Sequence, residues 1–194
     1  MSNYATKAFP NRLYGRFGTR SDTLFKSNSD PYILAEATFN DTRDRRYSLS
    51  RVWAGDGAAR VLWVMLNPSK ADALKDDSTV RKCVGFSRRW GFGGLNVVNL
   101  FSVRATNPRA LYEPETPVAV DDTDLETWRE YADAAPLIVF AWGAHGAHMD
   151  RCVRFVDEVA PFLNKEVVTL GFGKHGQPLH PLHLSYQTPR IPWP

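Results

Sequence analysis

Val61-Leu62-Trp63-Val64-Met65-Leu66-Asn67-Pro68-Ser69 is the stretch on which the reading of the fold turns. Six consecutive apolar residues are the mark of a strand buried on both faces, the environment of a central strand in a sheet covered by helices. Pro68 lacks an N–H and ends such a strand, so Asn67 is left as an amide held at a strand terminus. Leu95–Phe101, Leu137–Trp142 and Glu166–Leu170 read as further strands of the same kind. Between them lie helical patterns. One opens at Asp77 or Ser78, carries Val80, Cys83, Val84 and Phe86 on one face, and stops at Gly91. An acidic one runs from Asp121 or Asp122 to about Tyr131, and a third from about Ala147 to Phe162. On the N-terminal side, Ile33–Phe39 and Arg46–Trp53 alternate about Asn40-Asp41-Thr42, a β-hairpin pattern.

Strands alternating with helices predict an α/β fold: a doubly wound, mostly parallel central sheet of about four strands, flanked by helices and an N-terminal hairpin. Residues 1–30 are polar and read as an irregular arm, with residues 31–194 forming one domain. In such a sheet ligands sit beyond the carboxyl ends of the strands. That gathers Asn67-Pro68-Ser69, Asn99 with Ser102–Thr106, Gly143-Ala144-His145 and 171–185 into one crevice before any motif is considered.

The chain has 194 residues, 43% apolar and 23% charged, with net charge +3. That composition excludes disorder and fibrous repeats. The longest apolar run is too short to span a bilayer, and Met1–Lys7 has no apolar signal core. Two cysteines are too few for a disulfide framework. The expectation is a cytoplasmic protein with no membrane association and no obligate protein partner. Charge is uneven: residues 1–60 carry 10 basic and 6 acidic groups, residues 70–110 carry 8 and 3, and residues 111–135 carry 1 and 8. The pattern permits one positive face for a polyanion, and equally a set of solvated helix faces.

Several motifs fail on physical grounds. Gly171-Phe172-Gly173-Lys174-His175-Gly176 fits the dinucleotide fingerprint in letters, but Pro178 and Pro181 forbid the helix that it must open. The five histidines fall within residues 145–183 without an accompanying carboxylate motif, so no metal and no cofactor is expected. Ser69 lacks the flanking glycines of a nucleophile elbow.

Four strand-end pieces remain: Met65-Leu66-Asn67-Pro68-Ser69, Asn99-Leu100-Phe101-Ser102-Val103-Arg104-Ala105-Thr106, Phe140-Ala141-Trp142-Gly143-Ala144-His145 and His180-Pro181-Leu182-His183-Leu184-Ser185. With Asp76-Asp77-Ser78-Thr79, they resemble a bacterial and phage family of unknown function. More distantly, their order resembles the uracil-DNA glycosylase superfamily. That resemblance implies a DNA glycosylase acting on a pyrimidine swung out of the stack. Asn67 would hold the attacking water, His180 would stabilise the departing base, and Asn99 would read the base edge. Met65, Leu66, Phe86 and Phe101 would lie around the base. Leu184 would fill the gap in the duplex, with Ser69 and Ser185 on phosphates and Lys70, Arg104, Thr106, His145 and His183 as further DNA contacts. Met65 stands where the superfamily has glycine, and Leu182-His183 where it has Ser-Pro, which leaves a modified pyrimidine open. A reader that flips a modified base without cutting it, and a hydrolase of free nucleotides or nucleosides, remain alternatives.

Overall fold

The computed structural model describes residues 19–25, 31–55 and 57–194. Its centre is one eight-stranded mixed sheet in the order β1-β2-β3-β5-β4-β6-β7-β8. The strands are β1 (Thr19–Phe25), β2 (Leu34–Asn40), β3 (Arg46–Val52), β4 (Arg60–Met65), β5 (Gly94–Asn99), β6 (Leu137–Phe140), β7 (Glu166–Thr169) and β8 (Ile191–Pro192). Three α-helices cover it: α1 (Ser78–Arg89), α2 (Asp122–Ala134) and α3 (Arg151–Val159).

This overturns the expected four-stranded, mostly parallel, doubly wound sheet of the glycosylase type. Parallel pairing is confined to β5-β4-β6-β7, while the β1-β2, β2-β3, β3-β5 and β7-β8 pairings are antiparallel. The expected hairpin is not an appendage. Its second strand is zipped onto β5, Ser48 opposite Val98 through Val52 opposite Gly94, so it continues the sheet. Within the stretch expected to be an irregular arm, 19–25 form an edge strand; the rest of 1–30 lies outside the described residues. The third expected helix is broken as well. Met149 and Asp150 both adopt left-handed backbone (φ 55° and 51°), and α3 starts only after them.

The alternation along β4 explains the two cores. Val61, Trp63 and Met65 point to the α1 side, where they meet Val80, Cys83, Phe86, Leu95, Val97 and Val139. Leu62, Val64 and Leu66 point to the opposite side, against Val98, Phe101, Trp128, Phe140 and Phe155 beneath α2 and α3. Trp63 is fully buried, and its indole N–H is satisfied by Ser87 Oγ at 3.0 Å. α1 begins where Asp77 accepts the Val80 N–H at 2.9 Å, the ordinary duty of a helix cap. Its last turn carries Arg88 and Arg89, favourable at the negative end of the helix dipole. Asp121 and Asp124 form a reciprocal capping box at the start of α2.

One irregularity decides which way Arg46 points. Thr38 pairs with Ser48 and Phe39 with Arg46, so Tyr47 is an extra residue in β3. In a regular strand Arg46 would share the face of Ser48 and Ser50. The bulge shifts the alternation and places Arg46 opposite Phe39, on the α1 side.

Candidate functional site

On the α1 side, three adjacent strands end in a polar rim. Continuing the alternation of buried residues, Asn67 follows Trp63 and Met65, Asn99 follows Leu95 and Val97, and Gly143 follows Val139 and Ala141. The backbone holds these ends together: Leu100 N–H donates to Met65 O, Phe101 N–H to Leu66 O, and Ala141 N–H to Val64 O, each at 2.9 Å.

Asn67 is half-buried, and its amide is held by donation to Ala105 O at 2.8 Å and Pro68 O at 3.0 Å. Both hydrogens are therefore committed, which leaves Oδ1 as the available acceptor. Asn99 is buried, and its Oδ1 accepts from the Arg46 guanidinium at 3.3 Å, which leaves the amide Nδ2 as its side-chain donor. Asn99 thus offers a donor where Asn67 offers an acceptor.

Arg46 is 3% exposed and donates from Nη1 to Ala71 O at 2.9 Å, while its Nε is buried without a partner. Burial brings its pKa down to about 10, partly offset by the carboxylate of Asp77. Sequence reading missed Arg46, because nothing in Arg46-Tyr47-Ser48-Leu49 reveals the extra residue that turns it inward.

His180 lies beyond β7 and rests on the end of β6. Gly143 has φ +75°, and a Cβ there would lie 3.5 Å from the His180 Cβ. His180 Nδ1 accepts the Leu182 N–H at 3.3 Å, so in the neutral ring the proton sits on Nε2. Burial, reinforced by the neighbouring His183, lowers its pKa, while Asp77 pulls it the other way. The neutral donor form is therefore the one present at pH 7. Asp77 also acts electrostatically on Arg46, and so its charge bears on both groups as well as capping α1. In the sequence it reads only as a cap.

The other expected site residues divide. Ser69 and Arg104 lie near the rim, but Arg104 is engaged structurally, donating to Arg43 O and Ser69 O and stacking on Phe39. Lys70, Thr106, His183 and Ser185 are exposed. Leu184 packs against the α1-side core and is not a free wedge. Met65 is a core residue at 4% exposure, and Phe86 is sealed among Trp63, Trp90 and Tyr186. Leu66 and Phe101 belong to the opposite core, Phe101 lying under the Arg151 guanidinium, so neither reaches this rim. His145 bonds to the Tyr112 hydroxyl at 3.0 Å, and Tyr112 stacks on His148.

No group of three or more His, Cys, Asp or Glu among the described residues is arranged to hold a metal ion. No curated protein and no solved structure matches the chain. A family model described as "Protein of unknown function (DUF1643)" matches residues 46–182. The matched span opens on Arg46, which clamps Asn99, and closes on Leu182, whose N–H fixes the His180 tautomer. Every rim residue lies inside it, and on that match the chain belongs to the DUF1643 family.

Proposed function

We propose that this protein is a DNA glycosylase, hydrolysing the N-glycosidic bond of a modified or mismatched pyrimidine swung out of DNA. The observation that carries the reading is the complementary polarity of two fixed side chains. Asn67 is tied so that its oxygen accepts, and His180 is tied so that its Nε2–H donates. Hydrolysis through an oxocarbenium-like sugar needs that pair: an acceptor to orient water toward C1′ and a donor for the charge leaving on the base. The C1′–N1 bond breaks with its electron pair going to the base, and the water oxygen bonds to C1′. The water's proton is released to solvent, from which the base anion takes one up. Asn99, clamped by Arg46, offers a donor to a carbonyl or ring nitrogen on the base edge. The resemblance of the strand-end segments to the uracil-DNA glycosylase superfamily points to the same chemistry.

The test is a panel of oligonucleotides, each carrying one uracil, mismatched thymine or 5-hydroxymethyluracil, treated with the protein and then with alkali. Strand scission by the wild type, lost in Asn67→Ala and His180→Ala while DNA binding is kept, is the expected result. Binding without scission on every substrate would assign the protein as a reader of modified bases. Cleavage of free nucleosides with no preference for polymer would assign a monomer hydrolase.

A further inference from the structure

α1 carries four basic residues, Arg81, Lys82, Arg88 and Arg89, and no acidic one. Among the described residues none of the four is in an ion pair with a carboxylate. Arg81, Arg88 and Arg89 are exposed, and their guanidinium groups donate to backbone carbonyls and the Ser78 hydroxyl. On the other side of the sheet α2 has the reverse balance, with Asp122, Asp124, Glu126, Glu130 and Asp133 against Arg129 alone. The two helices, on opposite faces of the sheet, are therefore of opposite sign.

The cations of α1 are also held in place. Lys82 Nζ lies 4.1 Å and the Arg89 guanidinium 4.0 Å from the centre of the Tyr186 ring, while Arg88 lies 4.9 Å over Trp53. Ordering long cationic side chains in advance reduces the entropy lost when they meet an anion. Tyr186 reaches α1 because residue 85 is glycine; a Cβ there would lie 2.5 Å from the ring. The same chain segment carries His180, and Asp77 at the head of α1 acts on that histidine. The head of α1 thus adjoins the polar rim, and the basic face runs from there to Arg88 and Arg89 in the last turn.

We propose that the exposed face of α1 is the docking surface for the phosphate backbone of duplex DNA, holding it beside the rim. The proposal rests on DNA as the partner, but not on base excision. Charge complementarity argues for this occupant. The cations fall in two pairs, Arg81/Lys82 and Arg88/Arg89, within about 12 Å of the helix axis at about 1.5 Å per residue. Over that length one strand of B-DNA presents about three to four phosphates, at about one per 3.4 Å of duplex axis.

The test measures binding of the full chain to a fluorescein-labelled 20-base-pair duplex by anisotropy, across a range of salt concentrations. Arg81→Gln/Arg88→Gln should weaken binding about tenfold near 0.1 M salt and reduce the salt slope by about two, one released counterion for each lost phosphate contact. Lys82→Gln/Arg89→Gln should act likewise. Arg109→Gln/Arg154→Gln, an equal charge change away from α1, should leave both quantities unchanged. Thermal melting checks that each variant is folded. Duplex binding unaffected by either α1 pair would overturn the proposal and leave the DNA reading intact. A wild type that binds no duplex at any salt would overturn both. Equal affinity for phosphatidylserine vesicles or polyglutamate would overturn the assignment of DNA as the occupant.

Discussion

Asp77 has two duties that a pair of substitutions separates. As a cap it satisfies the Val80 N–H, and as a charge it favours protonation of His180. Asp77→Asn keeps the cap and removes the charge, so the His180 pKa should fall further with little loss of stability. Asp77→Ala should lose about 1 kcal/mol as well. Titration of the His180 ring by NMR, with urea unfolding of both variants, checks the separation; the same His180 pKa in Asp77→Asn would refute it. His180 itself has a folded-state pKa below the ordinary 6.5. The unfolded chain therefore binds more protons in that window, and stability rises with pH there. This contribution is complete above about pH 6.5 and is lost as pH falls through the folded-state value. His180→Gln should flatten that part of the stability profile, measured by urea midpoints between pH 5 and 8. Arg46→Met strands two buried acceptors, Ala71 O and Asn99 Oδ1. A loss of about 1–3 kcal/mol is expected from such orphaned groups, together with altered preference across the modified-base panel. Unchanged stability and unchanged preference would show that Arg46 does not set the orientation of Asn99.

At the scale of elements, the contact between α1 and the segment bearing His180 hinges on a missing side chain. Gly85→Ala puts a methyl group into the Tyr186 ring, so it should lower the melting temperature by several degrees and impair any activity that uses His180. In Gly85→Ala/Tyr186→Ala the clash is gone, and the double variant should be more stable than additivity of the single changes predicts. Strict additivity in calorimetry would mean that the two do not touch. The apolar runs of β4, β5, β6 and β7 and the capped, amphipathic α1 were legible in the sequence, because burial on both faces and helical periodicity both write themselves into residue order. The edge strands were not. Ser21-Asp22-Thr23 in edge strand β1 carries no apolar run to mark it, and β8 is two residues long and includes a proline. Asn67, Asn99 and His180 were legible as strand-end polar residues, whereas Arg46, which orients Asn99, and the action of the Asp77 charge on His180 come from distant parts of the chain and were hidden. Phe101 and Leu66 were misplaced because proximity to a strand end does not tell which face a side chain takes.

At the scale of the molecule, the sheet separates two cores, and basic α1 from acidic α2. The α2–α3 core is closed at its edge by Trp193, which lies 5.1 Å from Phe140, 5.8 Å from Trp142 and 5.7 Å from Phe172, ring centre to ring centre. Trp193→Ala should cost about 2–3 kcal/mol, below the ~3–5 kcal/mol of a fully buried aromatic because this one is partly exposed. Urea unfolding followed by tryptophan fluorescence measures it, and a change under 0.5 kcal/mol would show that the edge is closed without it. The width of the sheet also has a bearing on descent. Arg46 enters the rim because β3 holds one residue more than its partner strand. A residue inserted in β2 between Thr38 and Phe39, opposite Tyr47, would change none of the rim's own residues, yet it would restore regular alternation, turn Arg46 to the far side of the sheet and leave Asn99 unclamped. Substitution scanning never samples that event, whereas a slip of three nucleotides does. Among relatives, the length of β2 relative to β3 is then a character to compare alongside residue identity, since one lineage could turn Arg46 away from Asn99 by gaining a single codon.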